Sequence, residues 1–316
     1  MNKVLVTGAN GFIGKALSAE LMAAGFDVKG AVRSAASRAE QSADIVVGDI
    51  NARTLWQDAL QDVDVVAHLA ARVHVMKETV ADSLSAFREV NVVGTENLAR
   101  QAAAHGVRRF IFLSSIKVNG EQTERAFSAD DDVIPQDAYA LSKWEAEQAL
   151  RKISAETGME IVIIRSPLAY GPGVKGNFLR LLKLVNSGWP LPLGKVNNKR
   201  SMVSVDNLCD LIKTCIDHPR ANGRVFLVSD GHDLSTRDLV EMIADHMQRS
   251  IRLLSLPLGW LYGLAGMTGK KPEVERLCSS LQVDIRPTCD TLEWLPPYSV
   301  DEAVSKTVAW FIAQKL

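Results

Sequence analysis

The chain opens on an apolar run, Lys3-Val-Leu-Val-Thr7, that stops at Gly8 and gives way to a helical pattern with Leu17, Leu21 and Met22. Similar β-rich runs recur at Asp27 to Val32, Ile45 to Ile50, Val63 to Leu69, Arg109 to Ser114 and Glu160 to Arg165. Helical stretches lie between them, among them Ser83 to Ala104 and a run without Gly or Pro from Ser142 to Lys152. Strands alternating with helices predict an α/β fold built on a doubly wound parallel sheet. The run Phe110-Ile-Phe-Leu113 is almost wholly apolar, as a parallel strand buried on both faces is. After Pro167 the pattern breaks at Tyr170-Gly-Pro-Gly173 and Trp189-Pro-Leu-Pro192. A β-like run from Arg224 to Val228, a helix from about Thr236 to Gln248 and a C-terminal helix from about Val300 follow, predicting a smaller lobe over the sheet edge.

In such a sheet ligands bind beyond the carboxyl ends of the strands, so Gly11, Asp49, Ala70, Ser115 and Pro167 fall along one edge. The first strand ends in Gly8-Ala-Asn-Gly11-Phe-Ile-Gly14 and a helix follows. Glycines between strand and helix let the backbone approach a pyrophosphate at the helix amino terminus. Their spacing of three and three differs from the G-x-G-x-x-G fingerprint. Asp49 is placed for an adenine edge. Arg33, at the end of the second strand where an acid would favour a free 2′-hydroxyl, leans the reading towards NADP(H) over NAD(H). Gly94 inside the long helix costs about 1 kcal/mol against alanine and predicts close packing there.

Tyr139-Ala-Leu-Ser-Lys143 puts a phenol and an ammonium on one helix face. Moving a tyrosine pKa down by ~3 units from its usual ~10 takes about 4 kcal/mol. One ammonium at ~4 Å and an effective dielectric of ~20 supplies roughly that. The pair therefore predicts a proton donor and acceptor near neutral pH. His68 reads as a packed histidine.

With 316 residues, 47% hydrophobic and 23% charged, the chain is long enough for a large core and a second lobe. A net charge of −1, with acids and bases mixed, leaves no overall electrostatic footprint for nucleic acid or an anionic membrane. No signal-peptide pattern precedes Val4, and the apolar stretch from Leu253 to Met267 is too short for a membrane span, so a soluble, cytoplasmic protein is expected. Cys209, Cys215, Cys278 and Cys289 form no CxxC pair and read as free thiols, and no metal site is expected.

Together, Thr7-Gly-Ala-Asn-Gly-Phe-Ile-Gly14, His68-Leu-Ala-Ala71, Asn91-Val-Val-Gly-Thr95, Ser114-Ser115 and Tyr139-x-x-x-Lys143 resemble the extended short-chain dehydrogenase/reductases, and more narrowly their nucleotide-sugar epimerase/dehydratase group. The resemblance implies a Rossmann-like dinucleotide-binding domain over 1–166, to which the chain returns around 200–228, and a substrate lobe over most of 167–316. It makes Tyr139 the acid/base at a sugar hydroxyl, Ser115 the partner of the reacting oxygen, and Lys143 the group that binds the ribose and lowers the tyrosine pKa. Gly8, Gly11, Phe12, Ile13, Gly14, Arg33, Asp49, Ile50, Leu69, Ala70, Ala71 and Pro167 would border NAD(P), and Asn91 would support Lys143. Asn177 and Arg200 would hold the diphosphate of a UDP-sugar, with Arg276 and Arg286 as weaker candidates; an arginine suits this by bidentate bonding.

Where the family often has Tyr-Gly, this chain has Asn119-Gly120, and Lys117 falls where it would face the substrate. Ser114-Ser-Ile-Lys-Val-Asn-Gly-Glu121 is similar to UDP-N-acetylquinovosamine dehydrogenases, which reduce a UDP-2-acetamido-2,6-dideoxy-hexos-4-ulose in surface-polysaccharide synthesis. Ile116 and Lys117 replace the acid that dehydration requires. The first expectation is therefore a C4 ketoreductase. A UDP-glucose or UDP-N-acetylhexosamine 4-epimerase that recycles bound NAD is the alternative, and a non-catalytic NADP-binding sensor is a third class. The resemblance also implies a homodimer through Ser83 to Ala104 and Tyr139 to Thr157.

Overall fold

The computed structural model describes residues 2–34, 44–73, 83–257, 259–260, 263, 266 and 271–314. Much of the apolar stretch after Pro257 lies outside them. Seven strands, β1 (Lys3–Thr7), β2 (Asp27–Val32), β3 (Ile45–Val46), β4 (Val65–His68), β5 (Arg109–Ser115), β6 (Glu160–Ser166) and β9 (Val225–Leu227), form one sheet in the order β3-β2-β1-β4-β5-β6-β9. Every neighbouring pair is parallel. The doubly wound α/β sheet expected from the pattern is therefore present. Two short strands, β7 (Leu168–Tyr170) and β8 (Met202–Ser204), pair in parallel outside it.

Strand alternation explains the layers. Val4, Val6, Ile111, Val162 and Ile164 face one side and pack with α1 (Phe12–Ala23) and α7 (Val205–Asp217). Leu5, Phe110, Phe112, Ile161 and Ile163 face the other and pack with α4 (Gly94–Ala104) and α5 (Ala138–Thr157). Each such side chain contributes roughly 1.5–3 kcal/mol by leaving water. A separate core, with Phe178, Leu182, Val240, Ile243, Val304 and Phe311, unites α6 (Gly176–Asn186), α8 (Thr236–His246) and the helix Val300–Ala313. Among the described residues no helix is long and apolar enough to cross a membrane.

Three expectations need correction. The third strand pairs over only Ile45–Val46, because a left-handed Gly48 (φ +74°) turns the chain before Asp49. The long helix is α3 (Ser83–Arg88), a π turn at Glu89–Val93 and then α4. The stretch after Pro167 is more regular than its glycines and prolines imply, since α6 and α7 both form there. Gly94 does pack closely: a Cβ on it would lie 2.5 Å from the Ile50 Cγ2.

Candidate active site

The glycine turn after β1 forms a close cradle. Gly8 has φ +68°, and a Cβ on it would sit 3.1 Å from Ala70 Cα; one on Gly14 would sit 2.1 Å from the Gly8 carbonyl oxygen. No side chain caps α1 at Gly11. A helix amino terminus presented this way, against backbone lacking Cβ atoms, fits a pyrophosphate. The side chains of Phe12 and Ile13 turn away into the hydrophobic cores, leaving their backbone to the cradle.

Thr7 and His68 tie the ends of β1 and β4 together. The Thr7 Oγ accepts the N–H groups of Leu69 and Ala70 at 3.2 and 3.1 Å, and lies 2.7 Å from His68 Nδ1. Thr7 therefore donates to Nδ1, and His68 Nε2–H donates to Thr95 Oγ at 2.9 Å. Burial, with the Lys143 charge adding, drives the His68 pKa down to about 3, so the ring stays neutral and structural. At the outer end of this edge, Arg33 Nε lies 3.2 Å from Asp49 Oδ1. The two adenosine-edge candidates thus meet each other, exposed to solvent.

A cavity of about 530 Å³ opens beyond β5 and β6 and gathers most of the substrate-side candidates: Ser115, Lys117, Tyr139, Pro167, Asn177 and Arg200 all line it. β5 delivers Ser115, and α5, capped by Asp137, delivers Tyr139 in its first turn. Ser115 and Tyr139 thereby face the same space. Burial and then the Asp137 charge push the Tyr139 phenol up to about 12, with the Ser115 hydroxyl opposing. Lys143, 2% exposed, sets its ammonium 3.9 Å from the Phe112 ring centroid. Burial pulls it down to about 7, against the Glu147 charge. The lowering of Tyr139 by Lys143 that the spacing predicts is therefore not reached by the protein's own groups, because burial penalises both charged forms. Asn91 reaches the same helix. Its Nδ2 donates to Ser142 Oγ and the Arg72 carbonyl, both at 3.0 Å, so it holds the residue before Lys143.

Arg200 donates through Nη1 to the Arg276 and Ser279 carbonyls at 2.8 and 3.1 Å, and desolvation lowers its pKa. Arg180 and Arg276 line the same cavity, whereas Arg286 is engaged at the surface by Asp284 at 2.6 Å. Sequence reasoning missed Arg180 because α6 was not foreseen, and missed Glu121, which lines the cavity beside Lys117. Lys117 is not an unattached cation: Glu121 and Asp137 hold its ammonium at 2.6 and 2.7 Å.

The profile of the NAD dependent epimerase/dehydratase family matches residues 4–229. A UDP-glucose 4-epimerase of Vibrio cholerae is 48% identical over 314 residues, covering 98% of this chain and 95% of the relative. The N-acetyl-alpha-D-glucosaminyl-diphospho-ditrans,octacis-undecaprenol 4-epimerase of Escherichia coli O157:H7 is 29% identical over 326 residues, covering 98% and 95%. The crystal structure of a UDP-glucuronic acid 4-epimerase from Bacillus cereus in complex with NAD superposes with a TM-score of 0.81 at 22% identity, over 99% of this chain and all of that one.

Proposed function

The chain belongs to the NAD dependent epimerase/dehydratase family, and from that premise we propose that it is a UDP-sugar 4-epimerase acting on a UDP-glucose or UDP-N-acetylhexosamine. The observation that carries this reading is that Ser115 and Tyr139 together line the wall of a cavity that also holds Asn177 and Arg200. The 48% identity to a 4-epimerase moves epimerisation ahead of the reductase first expected from the Ser114–Glu121 stretch.

Gly8, Gly11, Gly14, Ala70, Lys143 and Pro167 are the groups suited to hold the dinucleotide, which when bound supplies reversible hydride acceptance. Tyr139 removes the proton from the C4 hydroxyl as C4 is oxidised and returns one when the opposite face is reduced. Ser115 donates to the C4 oxygen while it is a carbonyl and stabilises charge developing on it. Lys143 stabilises the phenolate whenever both groups are ionised. Arg200, with Asn177, holds the diphosphate so that the sugar can turn about that anchor without leaving. A homodimer through the outer faces of α3, α4 and α5, with Val93 exposed in the π turn between α3 and α4, completes the reading.

A second reading, net reduction of the UDP-4-keto-6-deoxy sugar by NADPH, is favoured by Arg33, whose side chain is 79% exposed at the end of β2 with no acid in place of it. One experiment separates the two. The purified protein is denatured, the released small molecules are weighed by mass spectrometry, and UDP-glucose and UDP-N-acetylglucosamine are followed for inversion at C4. Retained NAD with inversion and no net redox change supports epimerisation. Consumption of NADPH only with the 4-keto sugar assigns reduction, and no turnover of any of these sugars rejects both.

A further inference from the structure

Lys117 joins two parts of the site that come from different elements. Its backbone N–H donates to Ser115 Oγ at 3.3 Å, and its ammonium lies 2.7 Å from Asp137 Oδ2 and 2.6 Å from Glu121 Oε1. The other oxygen of Asp137 accepts the Ala140 N–H at 2.7 Å, capping α5 two residues before Tyr139. One side chain thus spans from the turn that bears Ser115 to the first turn of the helix that bears Tyr139. The Lys117 and Asp137 side chains are 25% and 21% exposed, so solvent screens this pair less than a surface one. A lysine serving mainly to bind a substrate anion would present an uncommitted ammonium to the cavity, whereas two carboxylates already engage this one.

We propose that Lys117 is a positioning residue: it clamps the Ser115 turn to the amino terminus of α5, so that hydroxyl and phenol meet one substrate oxygen, and it balances the Asp137 carboxylate beside the phenol. The inference rests on the reading of Ser115 and Tyr139 as the reacting pair. The groups around Tyr139 are Asp137 and Lys143 at the cap and in the body of its own helix, Ser115 at the end of β5, Lys117 from the turn after it, and Glu121 behind Lys117. Arg200 lines the same cavity, and from α3 the Phe87 ring stands 6.0 Å from the phenol with Arg72 over its face. Lys117 and Asp137 are the oppositely charged couple among them that meets at the helix start.

The test is steady-state kinetics across pH for Lys117→Met, Asp137→Asn and the double variant, beside Tyr139→Phe, using whichever sugar the wild type turns over. Lys117→Met lowers kcat roughly tenfold to a hundredfold with KM little changed, because the reacting groups are misplaced rather than the substrate released. It also moves the ionisation governing kcat to higher pH, since the Lys117 ammonium then no longer offsets the Asp137 charge beside the phenol. Asp137→Asn keeps the cap, asparagine capping as well as aspartate, and moves the same ionisation to lower pH. The double variant returns the ionisation towards the wild-type pH while keeping the loss in kcat.

A tenfold or larger rise in KM for Lys117→Met, with kcat and pH profile unchanged, makes Lys117 a substrate ligand and overturns the proposal. Unchanged kinetics in both single variants overturn it too. Should Lys117→Met fail to fold, the pH shift of Asp137→Asn decides alone. Full activity in Tyr139→Phe instead rejects the reacting pair itself, a failure the other variants do not mimic.

Discussion

Helix α5 carries two buried ionisable side chains one turn apart, and their surroundings are opposite. Glu147 is matched by Arg165 of β6 through two bonds, Nη2 to Oε2 at 2.7 Å and Nε to Oε1 at 3.1 Å. Ser114 donates to the same carboxylate at 2.5 Å, and Arg165 Nη1 donates to Asn119 Oδ1 at 3.0 Å. Lys143, just as deeply buried, has an aromatic face and a more distant carboxylate charge, and Tyr139 has a serine hydroxyl. Burial is common to Glu147 and Lys143, so burial alone does not decide what they do. Where hydrogen bonds complete the charges, the pair joins helix to sheet; where they do not, the protons stay movable. Ser114 and Ser115 divide the same way, one facing the structural pair and one the cavity.

The sharpest way to break this contrast is Tyr139→Phe. It removes one oxygen from the reacting pair and nothing from the structural one. Turnover is expected to fall roughly 10²- to 10⁴-fold, with thermal stability essentially retained. Unfolding curves that drop with the activity would show that the phenol is structural, and the contrast would collapse.

Arg165→Met attacks the other side. It leaves the Glu147 carboxylate buried without its counter-charge, for which about 3–5 kcal/mol of stability is expected to be lost in denaturant titrations. Replacing both, with Glu147→Leu and Arg165→Met together, should recover much of that loss. Ser114→Ala is milder: it removes one hydrogen bond to a charged group, about 1.5–3 kcal/mol, and should leave kcat within a few-fold because Ser115 is untouched.

The contrast also marks what could be read from residue order. Apolar runs identified β1, β5 and β6 because these strands are buried on both faces and end at glycine, serine or proline. The candidate residues on that edge were legible as types, since glycine at a strand end and Tyr-x-x-x-Lys on a helix each imply a chemistry. Their partners were not. Nothing local connects Glu147 to Arg165 or Lys117 to Asp137, 18 and 20 residues apart, until β5, β6 and α5 are packed. Arg165 did leave a trace, as a charge closing the apolar run Ile161-Val-Ile-Ile164. The departure at Asn119 acquires a reason in the same way, as an acceptor for Arg165. The lobe was least legible because Gly171 and Gly173 just before α6 and Gly176 at its first position, all at positive φ, punctuate the chain without preventing the helix.

The smallest effect is the most specific to the unsatisfied pair. Lys143 is pulled from 10.5 to about 7 in the folded protein. Between those values the unfolded chain holds a proton that the folded one has released, so stability rises with pH from about 7 towards 10.5. Tyr139 acts in the opposite sense: raised from 10.0 to about 12, it keeps a proton in the folded state that the unfolded chain loses, so stability falls above pH 10. The His68 contribution is complete earlier, growing with pH between about 3 and 6.5. The melting temperature of the wild type should therefore climb from pH 7 to about 9.5 and turn down beyond 10. Lys143→Met should flatten the climb while leaving the downturn, because a thioether has no proton to bind. A slope that survives this substitution would mean that Lys143 remains an ammonium throughout, balanced by Glu147, and that both pairs on α5 are held as ions.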